Sequence, residues 1–356
     1  MTASQLPPDC YLTDVMIIPF FIPHAGCPHQ CVFCDQKSIT GKSAPPDPSS
    51  IPSTIESYLA AASSAVPAEV AFFGGTFTAM PIEEQRVFLG AVQPFIAAGR
   101  ISGIRLSTRP DAMTPDILVM LKQHHVTTIE LGAQSMDDEV LRLSGRGHTA
   151  AHTANAVSLL REHAFRIGIQ LMPGLPGDTA ERFQETIRTV IGLRPAFVRL
   201  YPALVIRDTP LARLYRDGTY TPLSLEDAVD LCRSALELFN QAGIEVARIG
   251  LQATEELARP GAVIAGPWHP AFRQLVESSR FLESMRSLLW TDGNGSGSDS
   301  FSVHPADLSS AIGQNRRNIH ALRDQFGRDV TITADPSIPR GSVRKTASCK
   351  SQKAGL

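Results

Sequence analysis

Six short strand-like runs alternate with helical patterns between residues 16 and 205. The runs are MIIPFFIP (16–23), EVAFFGG (69–75), GIRLSTRP (103–110), TIELGAQS (128–135), RIGIQLMPG (166–174) and FVRLYPALV (197–205). Between them lie stretches such as PDILVMLKQHH and TAERFQETIRTVIGL, whose apolar residues recur at helical spacing. Strand–helix–strand units with right-handed crossovers build a parallel sheet. Six units without a clear seventh and eighth predict an α/β fold, an incomplete (β/α)6 barrel. A helix over 224–241 and a strand over 244–252 are expected to follow it. The chain has 356 residues, 43% hydrophobic and 19% charged, enough for such a barrel and a small further module.

A parallel barrel builds its active site at the C-terminal ends of its strands. CPHQCVFC (27–34) stands directly after the first strand and carries Cys27, Cys31 and Cys34 in the spacing C-x3-C-x2-C. The apolar run Val15 to Pro23 contains two prolines and is too short to span a bilayer or to act as an export signal. A cytoplasmic protein with no membrane contact is therefore expected, and in that compartment clustered cysteines serve as ligands or catalysts rather than disulfides. Soft thiolates select iron–sulfur clusters, zinc or copper(I). Structural zinc takes four ligands, usually as two separated pairs. No second pair exists here, although His24 or His29 could complete such a site. Three cysteines on a 4Fe–4S cluster leave one iron open for a substrate or cofactor. Cys10, Cys232 and Cys349 are isolated, and Cys232 reads as core packing inside a helix.

This cysteine loop, in its place after the first strand, resembles that of the radical S-adenosylmethionine (SAM) enzymes. In that family the loop holds a 4Fe–4S cluster and SAM chelates the open iron. One electron then cleaves SAM to methionine and a 5′-deoxyadenosyl radical, which abstracts hydrogen from the substrate. The resemblance implies a 4Fe–4S cluster and SAM as cofactors, and an electron donor such as flavodoxin or ferredoxin. Gly74 and Gly75, followed by Thr76, are similar to the family's motif for the SAM amino group, with Thr where many relatives carry Glu. Charged and amide side chains inside apolar strands are costly unless satisfied. Arg109, Gln134 and Gln170 are accordingly expected to contact SAM or substrate, Glu130 to meet the ribose hydroxyls, and Arg199 and Tyr201 to face the substrate.

PHAGCPHQCVFC, FFGGTFTAMP, LSTRPD, LGAQSMDDEVL, GRGHT, LMPGLPGDT and RLYPALVIRDTPLARLYRDGTY occur in this order over roughly residues 15–255. Together they resemble the subgroup that contains the catalytic subunit of Elongator, which modifies the wobble uridine of tRNA at carbon 5. That resemblance implies radical modification of an RNA base, with tRNA as partner. Two departures stand beside it. The subunit spaces its cysteines more widely, and the roughly hundred residues after 255 show no acetyltransferase domain. A lesser resemblance, to oxygen-independent coproporphyrinogen oxidases, points to a porphyrin or other small molecule. An RNA-binding protein with a structural cluster is a third reading.

The Gly/Ser-rich stretch TDGNGSGSDS (291–300) reads as a boundary. Beyond it, HPADLSSAIGQNRRNIHALRDQFGRDVTITAD (304–335) predicts two helices joined by a tight turn and followed by a strand. It is similar to the core of KH modules, whose Ile-Gly-x-x-Gly loop clamps a nucleic-acid backbone. Here the loop runs Gly313-Gln314-Asn315-Arg316, and Gly313, Arg316 and Arg317 are the expected RNA contacts. The expected layout is a barrel over 1–255, a connecting helical segment over 256–290, a small KH-like α+β module over 303–335 and a basic disordered tail over 336–356. Residues 309–356 carry nine Lys/Arg and three Asp/Glu, or 9 − 3 = +6, which leaves −2 − 6 = −8 for residues 1–308. A basic end on an acidic body suits an anionic partner.

Overall fold

The computed structural model describes residues 15–28, 31–61, 67–252, 254–291 and 298–346. His29, Cys10 and Cys349, and most of the Gly/Ser-rich stretch, lie outside the described residues. The chain divides into two compact units. One comprises the residues up to Leu223 together with Leu238–Pro267, and the other Ser224–Glu237 together with the residues from Trp268.

The first unit contains β1 (Met16–Phe21), β2 (Ala68–Phe73), β3 (Gly103–Thr108), β4 (Val126–Gln134), β5 (Arg166–Leu171), β6 (Phe197–Leu200), the short β7 (Val205–Ile206), β8 (Glu245–Ile249) and β9 (Val263–Ala265). β1 to β6 and then β8 pair in chain order, and every pair is parallel. This is the incomplete α/β barrel the sequence predicts, with a seventh strand in place of six. Among the described strands β8 follows β6 as the last of this order, and its residues are in part exposed and in part buried. The inner strands read differently: Val70, Ala71 and Phe72 on β2, or Ile104 and Leu106 on β3, are buried consecutively or nearly so. A parallel sheet covered on both faces requires this.

The helices start where local chemistry lets them. Thr114 and Thr179 cap Pro115–Gln123 and Ala180–Leu193, each accepting a hydrogen bond from a first-turn amide. The pairing of β4 with β5 shifts register between Leu131 and Gln134. The irregularity leaves Gln134 with a left-handed backbone, at φ 71°.

The second unit is built on the helix Phe272–Thr291, β10 (Ser298–Val303), the helices Leu308–Ile312 and Arg317–Phe326, β11 (Asp329–Ala334) and β12 (Val343–Thr346). β10 is the central strand, parallel to β11 and antiparallel to β12. Phe281, Met285 and Leu289 of the long helix share one core with Phe301, Val303, Ile319, Leu322 and Val330. The helix expected to be a connector is thus part of the module's core. The tail expected from 336 is corrected over 343–346: Val343 packs on that core and the segment pairs with β10. Lys345 reaches Asp299 at 2.8 Å, so its charge is used within the module. Cys232 is fully buried, as expected. No described helix is long and apolar enough to cross a membrane.

Candidate cysteine-loop active site

The cysteine loop leaves β1 and is clamped by the turn that leaves β2. Gln36 Oε1 accepts hydrogen bonds from the backbone N–H of His24 at 2.6 Å and of Gly75 at 2.7 Å. Thr76 N–H donates to Ala25 O at 2.7 Å. Gly75 sits at φ 61°, and a Cβ there would lie 2.5 Å from Ala25 O and 2.6 Å from Ile22 O. Gly26 is as crowded, with Thr76 O 2.3 Å from any Cβ. Two backbones in this contact tolerate no side chain. Gly74, Gly75 and Thr76, expected to receive SAM, therefore brace the cysteine loop, and Thr76 Oγ1 lies 3.5 Å from Cys27 Sγ.

The three thiols are free of disulfides. Cys27 and Cys34 line a cavity of about 450 Å³ together with His24, Lys37 and Asp208. Burial raises the Cys27 thiol, and burial with the neighbouring cysteines pushes Cys34 up to about 12. Thiolates crowded in a dry site need cationic partners. Arginines supply part of that charge, and the iron of a cluster would supply the rest. Among the described residues no three His, Cys, Asp or Glu side chains close around a single metal point. His24 Nε2 already accepts from Gln36 N–H at 3.2 Å, so that nitrogen is not offered to a metal.

Arg109, Arg146 and His148 surround the loop. Arg146 Nη1 donates to Cys31 Sγ at 3.0 Å and Nη2 to Gly132 O at 2.6 Å. Arg109 grips Asp111 through Nε and Nη2 at 3.0 and 2.8 Å, while its buried Nη1 has no partner among the described residues. His148 contacts Ala133 O through Nε2 at 3.2 Å. Burial, then the charges of Arg146 and Arg109, push it down to about 3, so it is neutral. Gln134 Oε1 accepts from Gln170 Nε2 at 3.0 Å. A Cβ on Gly132 would meet both Gln134 Nε2 and Arg146 Nη2, which makes these side chains neighbours. The structure thus gathers Thr76, Arg109, Gln134 and Gln170 near the cysteines. Arg146 and His148, in the GRGHT motif, join the site without having been expected there from sequence. The available signal was a pair of ionisable residues in a Gly-flanked turn.

Glu130, expected to meet a ribose, lies at the centre of an ion-pair network inside the sheet. Its Oε1 accepts from Arg105 Nη1 at 3.2 Å and Arg199 Nη2 at 3.0 Å. Burial raises its carboxyl while both arginines pull against the shift. Arg105 also donates to Glu69 at 2.7 Å. Arg199 stands 5.0 Å over the Phe73 ring and 3.5 Å from the Tyr201 hydroxyl. Arg199 and Tyr201 are thus together, with Arg199 anchored by Glu130.

A cover lies over the cysteines. Leu211 N–H donates to Val32 O at 2.8 Å, and Cys31, Phe33, Val205, Leu211, Ala212 and Tyr220 share one apolar cluster. Val205 to Tyr220 thereby pack over Cys31 and Phe33, while Cys27 and Cys34 stay partly accessible from the cavity.

Gly313, Arg316 and Arg317 belong to the second unit. Gly313 at φ 79°, ψ 159°, Asn315 at φ 51° and Arg316 at φ 61° form a tight turn in which Asn315 and Arg316 are exposed, whereas Gly313, expected to contact RNA, is buried against Ser278 and Asn318. Asn318 pins it by donating to Ser278 O at 2.9 Å and Ala311 O at 3.0 Å. Arg317 lies 3.6 Å from Glu226, and both side chains are solvent-exposed.

Comparison with known proteins matches residues 21–190 to the Radical SAM superfamily and 195–280 to the Radical_SAM C-terminal domain. The chain is 30% identical over 183 residues to a tRNA uridine(34) acetyltransferase of Methanocaldococcus jannaschii, covering 46% of this chain and 34% of that protein. It is 28% identical over 230 residues to one from Dehalococcoides mccartyi, covering 55% and 50%. It is 30% identical over 190 residues to the human Elongator complex protein 3, covering 48% and 35%. The chain therefore spans about a third to a half of the length of these curated relatives. In fold it is similar to the archaeal Methanocaldococcus infernus Elp3, with a TM-score of 0.61 and 23% identity over 76% of this chain and 63% of that one. With its parallel half-barrel and both domains in order, the chain belongs to the radical SAM superfamily, enzymes whose cofactors are a 4Fe–4S cluster and SAM.

Proposed function

We propose that this chain holds its cluster through Cys27, Cys31 and Cys34, cleaves SAM reductively there, and modifies a base of tRNA. The observation that carries the reading is the clamped loop of three free thiols after β1, covered by the apolar segment up to Tyr220. When bound, the cluster and SAM supply a 5′-deoxyadenosyl radical, which takes a hydrogen atom from the substrate. The chain's own residues bind and shield. Arg109 Nη1 is a buried donor with no partner among the described residues, suited to a carboxylate such as that of SAM. The paired amides of Gln134 and Gln170 orient polar groups beside it. Arg199 and Tyr201 meet the substrate, with Glu130 holding the guanidinium in place. The electron comes from a donor of the flavodoxin or ferredoxin class.

The relatives named as tRNA uridine(34) acetyltransferases support tRNA as the substrate. The second unit supports it independently. β10, two helices joined by a tight turn, and β11 follow one another as in KH modules, which clamp a nucleic-acid backbone in that turn. Gln314, Asn315, Arg316 and Arg317 are exposed there, at the start of a ten-residue helix whose open amides favour phosphate. The test is anaerobic reconstitution followed by iron and sulfide analysis, a 5′-deoxyadenosine assay with dithionite, and nucleoside mass spectrometry of tRNA from cells with and without the gene. A cluster with 5′-deoxyadenosine release and a missing nucleoside is expected. Stoichiometric zinc without iron overturns the cluster, and unchanged tRNA nucleosides overturn the substrate.

A further inference from the structure

Arg146 is a buried cation with no carboxylate partner among the described residues. Its residue exposure is 6%, and its Nε makes no hydrogen bond to any described residue. Burying an uncompensated guanidinium is costly, and arginine does not shed its proton to escape that cost. Its counter-charge lies instead in the cysteine loop, through the 3.0 Å contact to Cys31 Sγ. Arg109, the other guanidinium beside the cysteines, is largely neutralised by Asp111 at 2.8 Å.

Arg146 is also held rigidly. Its Nη2 is tied to Gly132 O on β4 at 2.6 Å. Its backbone N–H donates to Leu141 O at 3.0 Å, between Gly145 at φ 63° and Gly147 at φ 72°. Val32 N–H donates to Ser144 O at 3.1 Å, so the cysteine loop and the Arg146 turn are joined through their backbones as well. A side chain tethered at both ends delivers its N–H to one sulfur and to no other place.

We propose that Arg146 sets the reduction potential of the bound cluster through its hydrogen bond to Cys31 Sγ. The inference rests on the reading that Cys27, Cys31 and Cys34 hold a 4Fe–4S cluster. Uptake of one electron adds a negative charge to the cluster. A fixed cation donating to a ligand sulfur stabilises the reduced state more than the oxidised one, which raises the potential. Arg146 acts through Cys31 and is a positioning residue for the electron.

The full-length chain is reconstituted anaerobically as wild type, Arg146→Gln and Arg146→Lys, and titrated with dithionite under spin-resonance detection. At a fixed potential the ratio of reduced to oxidised cluster falls about tenfold in Arg146→Gln, a downward displacement of about 59 mV for a one-electron couple. Arg146→Lys keeps the charge but loses the planar fork, and its ratio falls less. Arg146→Gln with full iron content and the wild-type potential overturns the inference. Wild type carrying 15N-labelled arginine provides a reading independent of any variant's folding. Its reduced cluster shows hyperfine coupling to arginine nitrogen, and absence of that coupling overturns the inference equally. A wild type that takes up no iron removes the cluster reading itself, a different outcome from an iron-loaded protein with an unmoved potential.

Discussion

Glu130 shows how far a single side chain departs from what its position suggests. A carboxylate on an inner strand looks like a ligand contact, but here two guanidiniums occupy Oε1. Removing one partner of a buried pair leaves the other charge stranded, at about 3–5 kcal/mol. Arg105 keeps Glu69, so Glu130→Ala is expected at the lower end, about 3 kcal/mol, seen as a drop of several degrees in Tm by calorimetry. A Tm within one degree of wild type (~0.3 kcal/mol) would mean that Arg199 finds water instead. His148 carries a second prediction. Its folded value is pushed to about 3 from the ordinary 6.5. Between those values the unfolded chain takes up a proton that the folded chain refuses. This contribution to stability is therefore present above about 6.5 and lost as pH falls towards 3. In the apoprotein the His148 imidazole nitrogen shifts should stay flat from about pH 8 to 5 by NMR; a midpoint near the ordinary value would show the ring to be solvated.

At the scale of elements, the turns after β1 and β2 act as one device. Neither is regular structure, yet each fills the space the other leaves, with Gly26 and Gly75 at the contact. Gly75→Ala places a Cβ 2.5 Å from Ala25 O at φ 61°. A non-glycine residue held there costs about 1–3 kcal/mol of local strain. The clamp should open, and the reconstituted variant should hold much less iron than wild type with its helical circular dichroism unchanged. Wild-type iron content would show the clamp to be dispensable. The apolar cover from Val205 to Tyr220 is the third part of the device, joined to the loop at Leu211 and Val32.

For the whole molecule the uneven charge matters most. Residues 309–356 carry +6 and the remainder −8. Phosphates neutralised by arginine release counterions, so tRNA affinity should fall steeply with salt. Arg316→Ala with Arg317→Ala should weaken tRNA binding and reduce the salt slope by roughly one unit per lost phosphate contact. Substrate-free 5′-deoxyadenosine formation should be unchanged, because both residues belong to the second unit. Binding as tight as wild type with the same slope would make the turn a packing feature only.

The alternation of strand runs with helical patterns was sufficient for the parallel half-barrel. Both periods are local properties of the chain, and the right-handed crossover leaves little further choice. The same reasoning put Cys27, Cys31 and Cys34 at the C-terminal end of β1, because three soft ligands within eight residues need no distant partner. The seventh strand was harder to count, since only part of its residues are buried and its pattern is weaker. Tertiary structure alone decided that Arg146 meets Cys31 across 115 residues of sequence and that Glu130 answers to Arg105 and Arg199. It also decided that Val343–Thr346 closes a sheet against Ser300–Val303. These pairings depend on strand register, on the irregularity before Gln134 and on which buried charge lies near which, and no local period records them.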